Sequence, residues 1–243
     1  MSEIIYGKNT VIEYIKSKYP IEEIWITKQI LNKEPLITSY IKDRNVKCHI
    51  VDRNSIDTII KGNHQGIAAK IQGFPYYNID DMLNDARKKN ETPFLVILDG
   101  LEDSHNLGAI LRTCDCCGVH GVIIPKNRSV SLNATVAKIS TGAIKYVKVA
   151  KVTNLNNTIK LLKKRGLWVI GCDMKTNIDY RKMDANLPLA VVIGAEGKGI
   201  SRLVKENCDL LIKLPMKGHI TSLNASVALS VILYEVMNQR CPL

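Results

Sequence analysis

Five near-continuous apolar runs in the C-terminal part of the chain constrain its fold more than any other feature. The runs cover residues 94–98, 119–124, 167–170, 189–193 and 210–214. Such runs are typical of strands that are covered on both faces, whereas a strand with one solvated face alternates apolar and polar residues. Because segments with helical periodicity separate the runs, we predict an α/β fold with a mostly parallel sheet.

The N-terminal part of the chain has a different pattern on a smaller scale. It predicts helices at residues 8–18, 35–44 and 54–60, the last capped by Asn54, and strands at residues 21–26, 46–51 and 66–71. A mostly polar stretch with turn-forming residues follows and predicts a domain boundary. The sequence therefore predicts a small α/β domain at residues 1–72, a linker with one short helix at 73–92, and a larger α/β domain at 93–243.

The charge balance favours a polyanionic partner. The 243-residue chain has 34 Lys and Arg against 23 Asp and Glu, which gives a formal net charge of +11. Clustered basic side chains bind phosphates and release the counterions around them, so nucleic acid is the favoured partner. No apolar run reaches the roughly 20 residues that a membrane helix needs, and the N-terminus lacks a secretory signal pattern. We therefore expect a cytoplasmic protein with no membrane partner.

The cysteines fit a reducing environment. There are seven, an odd number, and without a secretory signal they are expected to be free thiols. Cys114, Cys116 and Cys117 lie close together, but no second Cys/His pair has zinc-like spacing and all three fall within a helical apolar pattern. We expect helix packing at this position and no metal site.

Three segments place polar residues directly after a predicted strand. The first, residues 98–113, ends a strand, crosses a polar loop and starts a helix. We expect Asn106 to cap that helix, and Arg112 to lie off its apolar stripe and face a cleft. The stripe consists of Leu107, Ile110, Leu111 and Cys114. The alternative is purely structural: Asn106 is only a cap, and Arg112 pairs with Asp115 on the same helix.

The second segment, residues 190–201, has three glycines and one carboxylate after a buried strand. The carboxylate is that of Glu196, and it lies among Gly194, Gly197 and Gly199, residues that let a backbone come close to a ligand. The glycine spacing and the position of the acidic residue both differ from the dinucleotide-binding pattern, which argues against a nicotinamide-dependent dehydrogenase. The alternative is a glycine-rich helix entry with Glu196 on the surface.

The third segment, residues 214–228, again runs from a strand through a loop into a helix. Ser222 or Asn224 is positioned to cap that helix. Capping would explain either residue alone, but it would not explain why three such loops bring glycine and polar side chains to the same end of one parallel sheet. We therefore predict a functional site at that end.

At these segments the chain resembles the SpoU/TrmH family of RNA ribose 2′-O-methyltransferases. The likeness to three ordered family motifs lies in residues 106–113, 193–199, 214–216 and 222–228. Residues 5–11 and 64–67 are similar to the start and end of the RNA-binding extension that precedes the catalytic domain in this family. The resemblance covers both predicted domains.

The resemblance implies a cofactor, a topology and a set of site residues. Family members use S-adenosylmethionine, have a trefoil-knotted (SPOUT) α/β domain through which they form homodimers, and have an extension with an L30e-like fold. Catalytic roles are implied for Asn106, Arg112, Glu196, Ser222 and Asn224, and cofactor contacts for Ile193, Gly194, Gly199, Leu214, Met216, Ser222 and Leu223. For Arg112 we predict phosphate binding, because its planar guanidinium matches a phosphate and stays charged. The last predicted helix, residues 224–239, is apolar all round, which fits an interface.

Within the family, the chain is most similar to the bacterial branch that methylates a guanosine of 23S rRNA. Residues 121–126 and 135–138 have much of this closer likeness, whereas residues 127–133 depart from the more basic or proline-containing sequence common there. Two alternatives stay open. One is the same chemistry on tRNA or on another rRNA loop, and the other is a noncatalytic RNA-binding factor in ribosome assembly.

Overall fold

The computed structural model describes residues 2–16 and 18–241, and it divides into two compact units. The first unit contains the chain up to Pro75 together with Asn133–Thr135, and the second contains Tyr76–Leu132 and the chain from Val136 onward. Both units contain strands and helices, which confirms the α/β prediction. Among the described residues, no helix has the length and apolar character needed to cross a membrane.

The first unit contains a mixed four-stranded sheet. Its strands are β1 (Ser2–Tyr6), β2 (Ile21–Ile26), β3 (Lys47–Ile50) and β4 (Ile67–Gln72), in the order β1-β4-β2-β3. Strand β4 is antiparallel to both β1 and β2, and β2 is parallel to β3. The helices are α1 (Lys8–Lys16), α2 (Lys28–Lys33), α3 (Pro35–Arg44) and α4 (Arg53–Ile59).

Local signals explain most of these elements. Helix α3 begins with Pro35, whose fixed φ suits a first helical turn, and ends at Asn45 in the left-handed region. The predicted Asn54 cap of α4 is wrong, because Asp52 Oδ1 accepts the Ser55 amide at 2.8 Å and starts the helix earlier. The sequence did not predict β1 or α2, and the end of the predicted helix at residues 8–18 includes residue 17, which lies outside the described residues.

The second unit contains a six-stranded sheet whose described strand pairs are all parallel. Its strands are β5 (Phe94–Asp99), β6 (Gly121–Pro125), β7 (Val149–Val152), β8 (Trp168–Cys172), β9 (Leu189–Gly194) and β10 (Leu210–Ile212), in the order β10-β8-β9-β5-β6-β7. The longer helices of the remaining chain are α5 (Ile79–Lys89), α6 (Ser104–Cys116), α7 (Ala134–Ile139), α8 (Leu155–Lys164), α9 (Arg202–Asn207) and α10 (Ala225–Arg240). Single 3₁₀ turns cover Ala143–Lys145 and Tyr180–Lys182.

The five predicted apolar runs correspond to five of these six strands. The sequence did not predict β7, which is an edge strand and is interrupted by the polar Lys151. Helix α5 packs on this sheet and buries Met82 in a hydrophobic cluster that includes Leu95 and Ile97. A Cβ on Gly121 would lie 2.2 Å from Met82 Sδ, so the glycine is what lets α5 pack this closely. The trefoil knot and the domain boundaries implied by the sequence stay predictions.

Candidate functional site

The carboxyl ends of β5, β9 and β10 lie at one edge of the parallel sheet, and the three polar segments follow those ends. Side chains from all three segments meet there. Asn106 Nδ2 donates to Glu196 Oε1 at 2.8 Å, and Asn224 Nδ2 donates to Asn106 Oδ1 at 2.9 Å. Asn224 Nδ2 also makes a short hydrogen bond to Glu196 Oε1. The structure therefore joins residues from three separate parts of the sequence in one hydrogen-bonded triad.

Asn106 does not cap α6, so that part of the prediction is wrong. Asp103 is the cap, and its Oδ1 accepts the His105 amide at 2.8 Å. Asn106 lies in the first turn of the helix and is 8% exposed. A buried amide that lost its partners would be destabilising by about 1–3 kcal/mol. Its contacts with Glu196 and Asn224 satisfy both ends of this amide and explain why a polar residue is tolerated there.

Asn224 caps α10, as one of the two predicted possibilities. Its Oδ1 accepts the Ser226 amide at 2.9 Å and the Val227 amide at 3.3 Å. The Ser226 hydroxyl donates to the same oxygen at 2.6 Å. Because the cap fixes the oxygen of this amide, the nitrogen is directed toward Asn106 and Glu196. One side chain thus starts the last helix and completes the triad.

The glycines after β9 form a tight hairpin that ends shortly before α9 begins at Arg202, and Glu196 in this hairpin is exposed, as the structural alternative expects. The Gly199 amide donates to the Ala195 carbonyl at 2.8 Å, and Gly197 and Gly199 have φ values of 74° and 65°. A Cβ on Gly194 would lie 2.0 Å from the Gly199 carbonyl carbon. Only glycine fits such an approach. The hairpin presents Glu196 at its tip, where this exposed carboxylate accepts both triad amides.

A cleft of about 710 Å³ opens beside the triad at the ends of β8, β9 and β10. All seven predicted cofactor contacts line it: Ile193, Gly194, Gly199, Leu214, Met216, Ser222 and Leu223. Of the predicted catalytic residues, Glu196, Ser222 and Asn224 also line the cleft. The lining combines apolar side chains with a few polar groups, which is the usual composition of a small-molecule site.

The cleft has a second polar wall that the sequence reasoning missed. Cys172 ends β8 there and Asp173 follows it, and Asp173 forms a short ion pair with Lys205. Burial raises the pKa of Asp173, but the hydrogen bonds from Lys205 and the Lys175 amide outweigh it and bring the pKa below its usual value. Burial, aided by the charge of Asp173, raises the pKa of Cys172 to about 11, so this thiol is neutral near pH 7. The sequence had the same signal for this wall as for the three predicted segments, namely an apolar run that is followed by a polar residue.

Arg112 lies on α6 but outside the cleft. It is exposed, and in the described part of the chain it forms no ion pair with Asp115, so the pairing alternative is wrong. The predicted stripe on the same helix is confirmed, because Leu107, Ile110, Leu111 and Cys114 are fully buried. Helix α6 packs against α10, with Thr113 Oγ1 3.0 Å from Ser230 Oγ. The guanidinium therefore faces solvent from a helix that is held firmly on its other side.

Comparison with known protein families gives two matches that cover most of the chain. Residues 93–234 match the SpoU rRNA methylase family, and residues 4–77 match a domain described as RNA 2′-O ribose methyltransferase substrate binding. YacO of Bacillus subtilis strain 168, which its name assigns provisionally to the TrmH family of tRNA/rRNA methyltransferases, is 48% identical over 241 residues. The match covers 99% of this chain and 97% of YacO.

Solved structures have the same fold. The SpoU methyltransferase AviRb of Streptomyces viridochromogenes, crystallised with AdoMet, aligns with a TM-score of 0.65 and 20% identity over 98% of this chain and 90% of its own. A TrmH/SpoU tRNA-modifying enzyme of A. aeolicus aligns with a TM-score of 0.58 and 30% identity, over 65% of this chain and 84% of its own.

Proposed function

The chain belongs to the SpoU rRNA methylase family and is an RNA methyltransferase, and we propose that it methylates the ribose 2′-hydroxyl of a guanosine in 23S rRNA with S-adenosylmethionine as the donor. The observation that carries the proposal is the triad of Asn106, Glu196 and Asn224 at the edge of the cleft. A family match to an RNA substrate-binding domain and the net charge of +11 support an RNA substrate.

The residues of the cleft fit S-adenosylmethionine. Its volume of about 710 Å³ lies within the roughly 300–1,000 Å³ of small-molecule sites. Ile193, Leu214 and Leu223 offer apolar contacts for an adenine, and the glycine backbone of the hairpin leaves room for a close approach. The lining has charged groups of both signs, since Glu196 and Asp173 lie there with Lys175, Lys198 and Lys205, and this suits a ligand that has both cationic and anionic groups. When bound, this cofactor supplies a methyl group on a sulfonium, which needs little further activation.

The chain's own contribution is therefore mainly positioning. Asn106 and Asn224 hold the Glu196 carboxylate in one orientation, and Ser222 offers a hydroxyl on the same cleft wall. We assign these four polar side chains to orienting the ribose. A ribose hydroxyl held in one direction can approach the methyl carbon in line, and holding reactants in this way accounts for a large part of many enzymatic rate enhancements.

Arg112 is assigned to a phosphate of the RNA. Its side chain is exposed and has no carboxylate partner among the described residues, so the guanidinium is available to an outside anion. The planar fork gives two parallel hydrogen bonds to a phosphate. A role as general base would be costly, because an arginine guanidinium is a very weak acid and holds its proton in proteins.

Other parts of the chain support RNA binding and self-association. We propose that residues 1–72 bind the substrate RNA, that 73–92 link the domains, and that 93–243 form the knotted catalytic domain.

We also propose a homodimer through helix α10. Val227, Val231 and Tyr234 have exposed fractions of 48%, 38% and 51% and recur at helical spacing, so α10 has an uncovered apolar stripe. Ribosomal RNA as substrate would place the protein in the cytoplasm.

Methylation of tRNA is the second candidate function. The name of YacO includes both tRNA and rRNA, and the A. aeolicus neighbour is a tRNA-modifying enzyme. A noncatalytic assembly factor is disfavoured, because such a protein would not need the triad beside the cleft.

The test is transfer of a tritiated methyl group from S-adenosylmethionine to purified RNA. Protein-free large-subunit rRNA from a strain that lacks the modification and bulk tRNA are assayed in parallel, and the label is then mapped to a nucleotide. We expect label on a guanosine ribose of 23S rRNA, lost with Arg112→Ala. Label on tRNA alone would support the proposed methyl transfer and contradict 23S rRNA as the substrate. Cofactor binding by calorimetry without any transfer would favour the noncatalytic alternative.

A further inference from the structure

A second cavity, of about 400 Å³, lies next to the cofactor cleft. The two share Ala195, Lys198 and Gly199 in their linings, so the hairpin after β9 forms the wall between them. None of the five predicted catalytic residues lines this second cavity. Its lining is instead Asp99, Gly100, Glu102, Pro125, Asn127, Arg128, Ala195, Lys198, Gly199 and Ser201.

The cavity lies where a parallel sheet usually binds ligands. From β5 the chain adds β6 and β7 on one side, and then crosses to add β8, β9 and β10 on the other side. The strand order therefore reverses between β5 and β9, and ligands of open α/β sheets bind outside the carboxyl ends at this point. Asp99 at the end of β5, Ala195 after β9 and Pro125 at the end of β6 all line the cavity.

Three charged side chains of the cavity have no ion-pair partner among residues 2–16 and 18–241. They are Glu102, Arg128 and Lys198, all exposed. Asp99, by contrast, is engaged, since its Oδ2 accepts the Ser201 amide at 2.7 Å. Arg128 has a φ of 55°, a conformation that is unfavourable for a long side chain and that occurs more often at functional sites. The loop after β6 thus holds an unpaired guanidinium beside the cavity in a strained backbone conformation.

We propose that this cavity receives the base of the guanosine that is methylated, with Glu102 accepting hydrogen bonds from its N1–H and 2-amino groups and Arg128 binding an adjacent phosphate. The inference rests on the proposed function. An ionised carboxylate only accepts hydrogen bonds. Guanine has two adjacent donors on its Watson–Crick edge, whereas adenine and cytosine each place a ring-nitrogen acceptor next to their amino group, and uracil places its one N–H between two carbonyls. An unpaired carboxylate therefore favours guanine over the other three bases.

The shared wall gives the ribose a route to the cleft. Enzymes that modify nucleotides turn the target out of its stack and read the edge of the base in a pocket. With the base in the second cavity, the attached ribose would extend over the hairpin toward its tip, where Glu196 is held by Asn106 and Asn224. Base recognition and ribose orientation would then occur on opposite faces of one five-residue turn.

The experiment compares two forms of a short RNA that contains the mapped target loop, one with guanosine and one with inosine at the methylated position. Inosine keeps N1–H and lacks the 2-amino group. We expect the unmodified protein to have a kcat/KM about 10–100-fold higher for guanosine than for inosine, in the range of one hydrogen bond to a charged group. With Glu102→Gln this ratio should fall to about one to three, while the Kd for S-adenosylmethionine stays unchanged. Glu206→Gln, on the exposed face of α9, is the matched control and should keep the ratio.

Arg128→Gly tests the phosphate contact separately, because glycine adopts the positive φ at this position without strain. We expect it to raise KM for both RNAs equally, to leave the guanosine-to-inosine ratio unchanged and not to lower the thermal midpoint. A ratio that Glu102→Gln leaves intact would overturn the inference and leave the proposed function standing. A mapped target that is not a guanosine would overturn both.

Discussion

Asn106 and Glu196, 90 residues apart in the sequence, are joined by a 2.8 Å hydrogen bond from the amide nitrogen of Asn106 to Oε1 of Glu196. The oxygen of the same amide accepts Asn224 Nδ2 at 2.9 Å, across 118 residues. One buried side chain therefore fixes the hairpin after β9 and the start of α10 relative to α6. The orientation of the Glu196 carboxylate depends on this amide.

Replacing Asn106 by Asp tests this dependence. The new side chain has no hydrogen to donate to Glu196 and would place two carboxylates in contact, so Glu196 should turn away. We expect kcat for methyl transfer to fall on the order of 10²-fold, the effect of a reacting group displaced by about 1 Å. The Kd for S-adenosylmethionine should change much less. Asn186→Asp on the exposed surface is the control, and equal turnover in the two variants would contradict the positioning role.

The role of Arg112 is tested with Arg112→Lys. Lysine keeps the charge and loses the planar fork, so it cannot make two parallel bonds to a phosphate. Hydrogen bonds to charged groups contribute about 1.5–3 kcal/mol, and we expect kcat/KM for RNA to fall by about 10-fold to 100-fold. Arg202→Lys, an exposed arginine of α9, should keep full activity. Full retention of turnover in Arg112→Lys would exclude the bidentate contact.

Substitution of Gly194 by Ala should open the hairpin. The added Cβ would lie 2.0 Å from the backbone of Gly199, and backbone cannot move aside as a flexible side chain can. Overpacking of this kind is destabilising by about 1–3 kcal/mol, which lowers Tm by about 2–12 °C in a chain of this size. Calorimetry should also detect weaker binding of S-adenosylmethionine. Gly218→Ala, where a Cβ meets nothing within 4 Å, is the matched control and should change neither quantity.

The proposed dimer is tested by Val231→Glu on the exposed stripe of α10. We expect light scattering to give about twice the chain mass of 27.1 kDa for the unmodified protein and a single chain mass for the variant. A charge in an apolar interface loses its water without gaining a partner, which is costly. Leu161→Glu, on the exposed face of α8, should remain dimeric. A monomeric unmodified protein at working concentration would contradict the proposal.

The pH dependence of stability should include a contribution from His120. Burial lowers its pKa below the usual 6.5, although the Glu91 carboxylate, 2.9 Å from Nε2, acts in the opposite direction. Below pH 6.5 the unfolded chain therefore takes up a proton that the folded chain does not. The free energy of unfolding should fall as the pH drops below this value.

His120→Asn checks this contribution. Its side-chain oxygen can still accept the Phe94 amide, which His120 Nδ1 now accepts at 3.1 Å, but it does not titrate. Between pH 7.5 and pH 5.5, Tm should decrease less steeply in this variant than in the unmodified protein. His105→Asn at an exposed position should leave the slope unchanged. Equal slopes for the unmodified protein and His120→Asn would exclude the buried histidine as a source.

The sequence was most informative where an element has an uninterrupted apolar run or a regular apolar stripe. Five of the six strands of the parallel sheet were predicted from their apolar runs, and the stripe of α6 from its spacing. Strand β7 was not predicted because Lys151 interrupts its apolar pattern, whereas β10, the other edge strand, is apolar throughout. In the first unit, α2 was not predicted from the sequence, because this short helix has no buried residue and therefore no apolar periodicity.

The candidate site was predictable as a set of residues and not as an arrangement. The strand-loop-helix pattern and the family resemblance were enough to select seven of the residues that line the cleft and the three that form the triad. The roles of single amides were decided by competition between nearby groups. Asp103 accepts the His105 amide as the cap of α6, and this leaves the Asn106 side chain available to Glu196.

By itself, the sequence determined the parallel α/β class, the order of the elements and the residues that follow each strand, because these depend on local periodicity and composition. Tertiary structure alone decided which polar groups meet. Hydrogen bonds across 90 and 118 residues depend on strand order and helix packing, which no local pattern specifies. The second cavity has the same origin, since its walls come from the ends of β5, β6 and β9. These ends become neighbours only when the sheet places β9 beside β5.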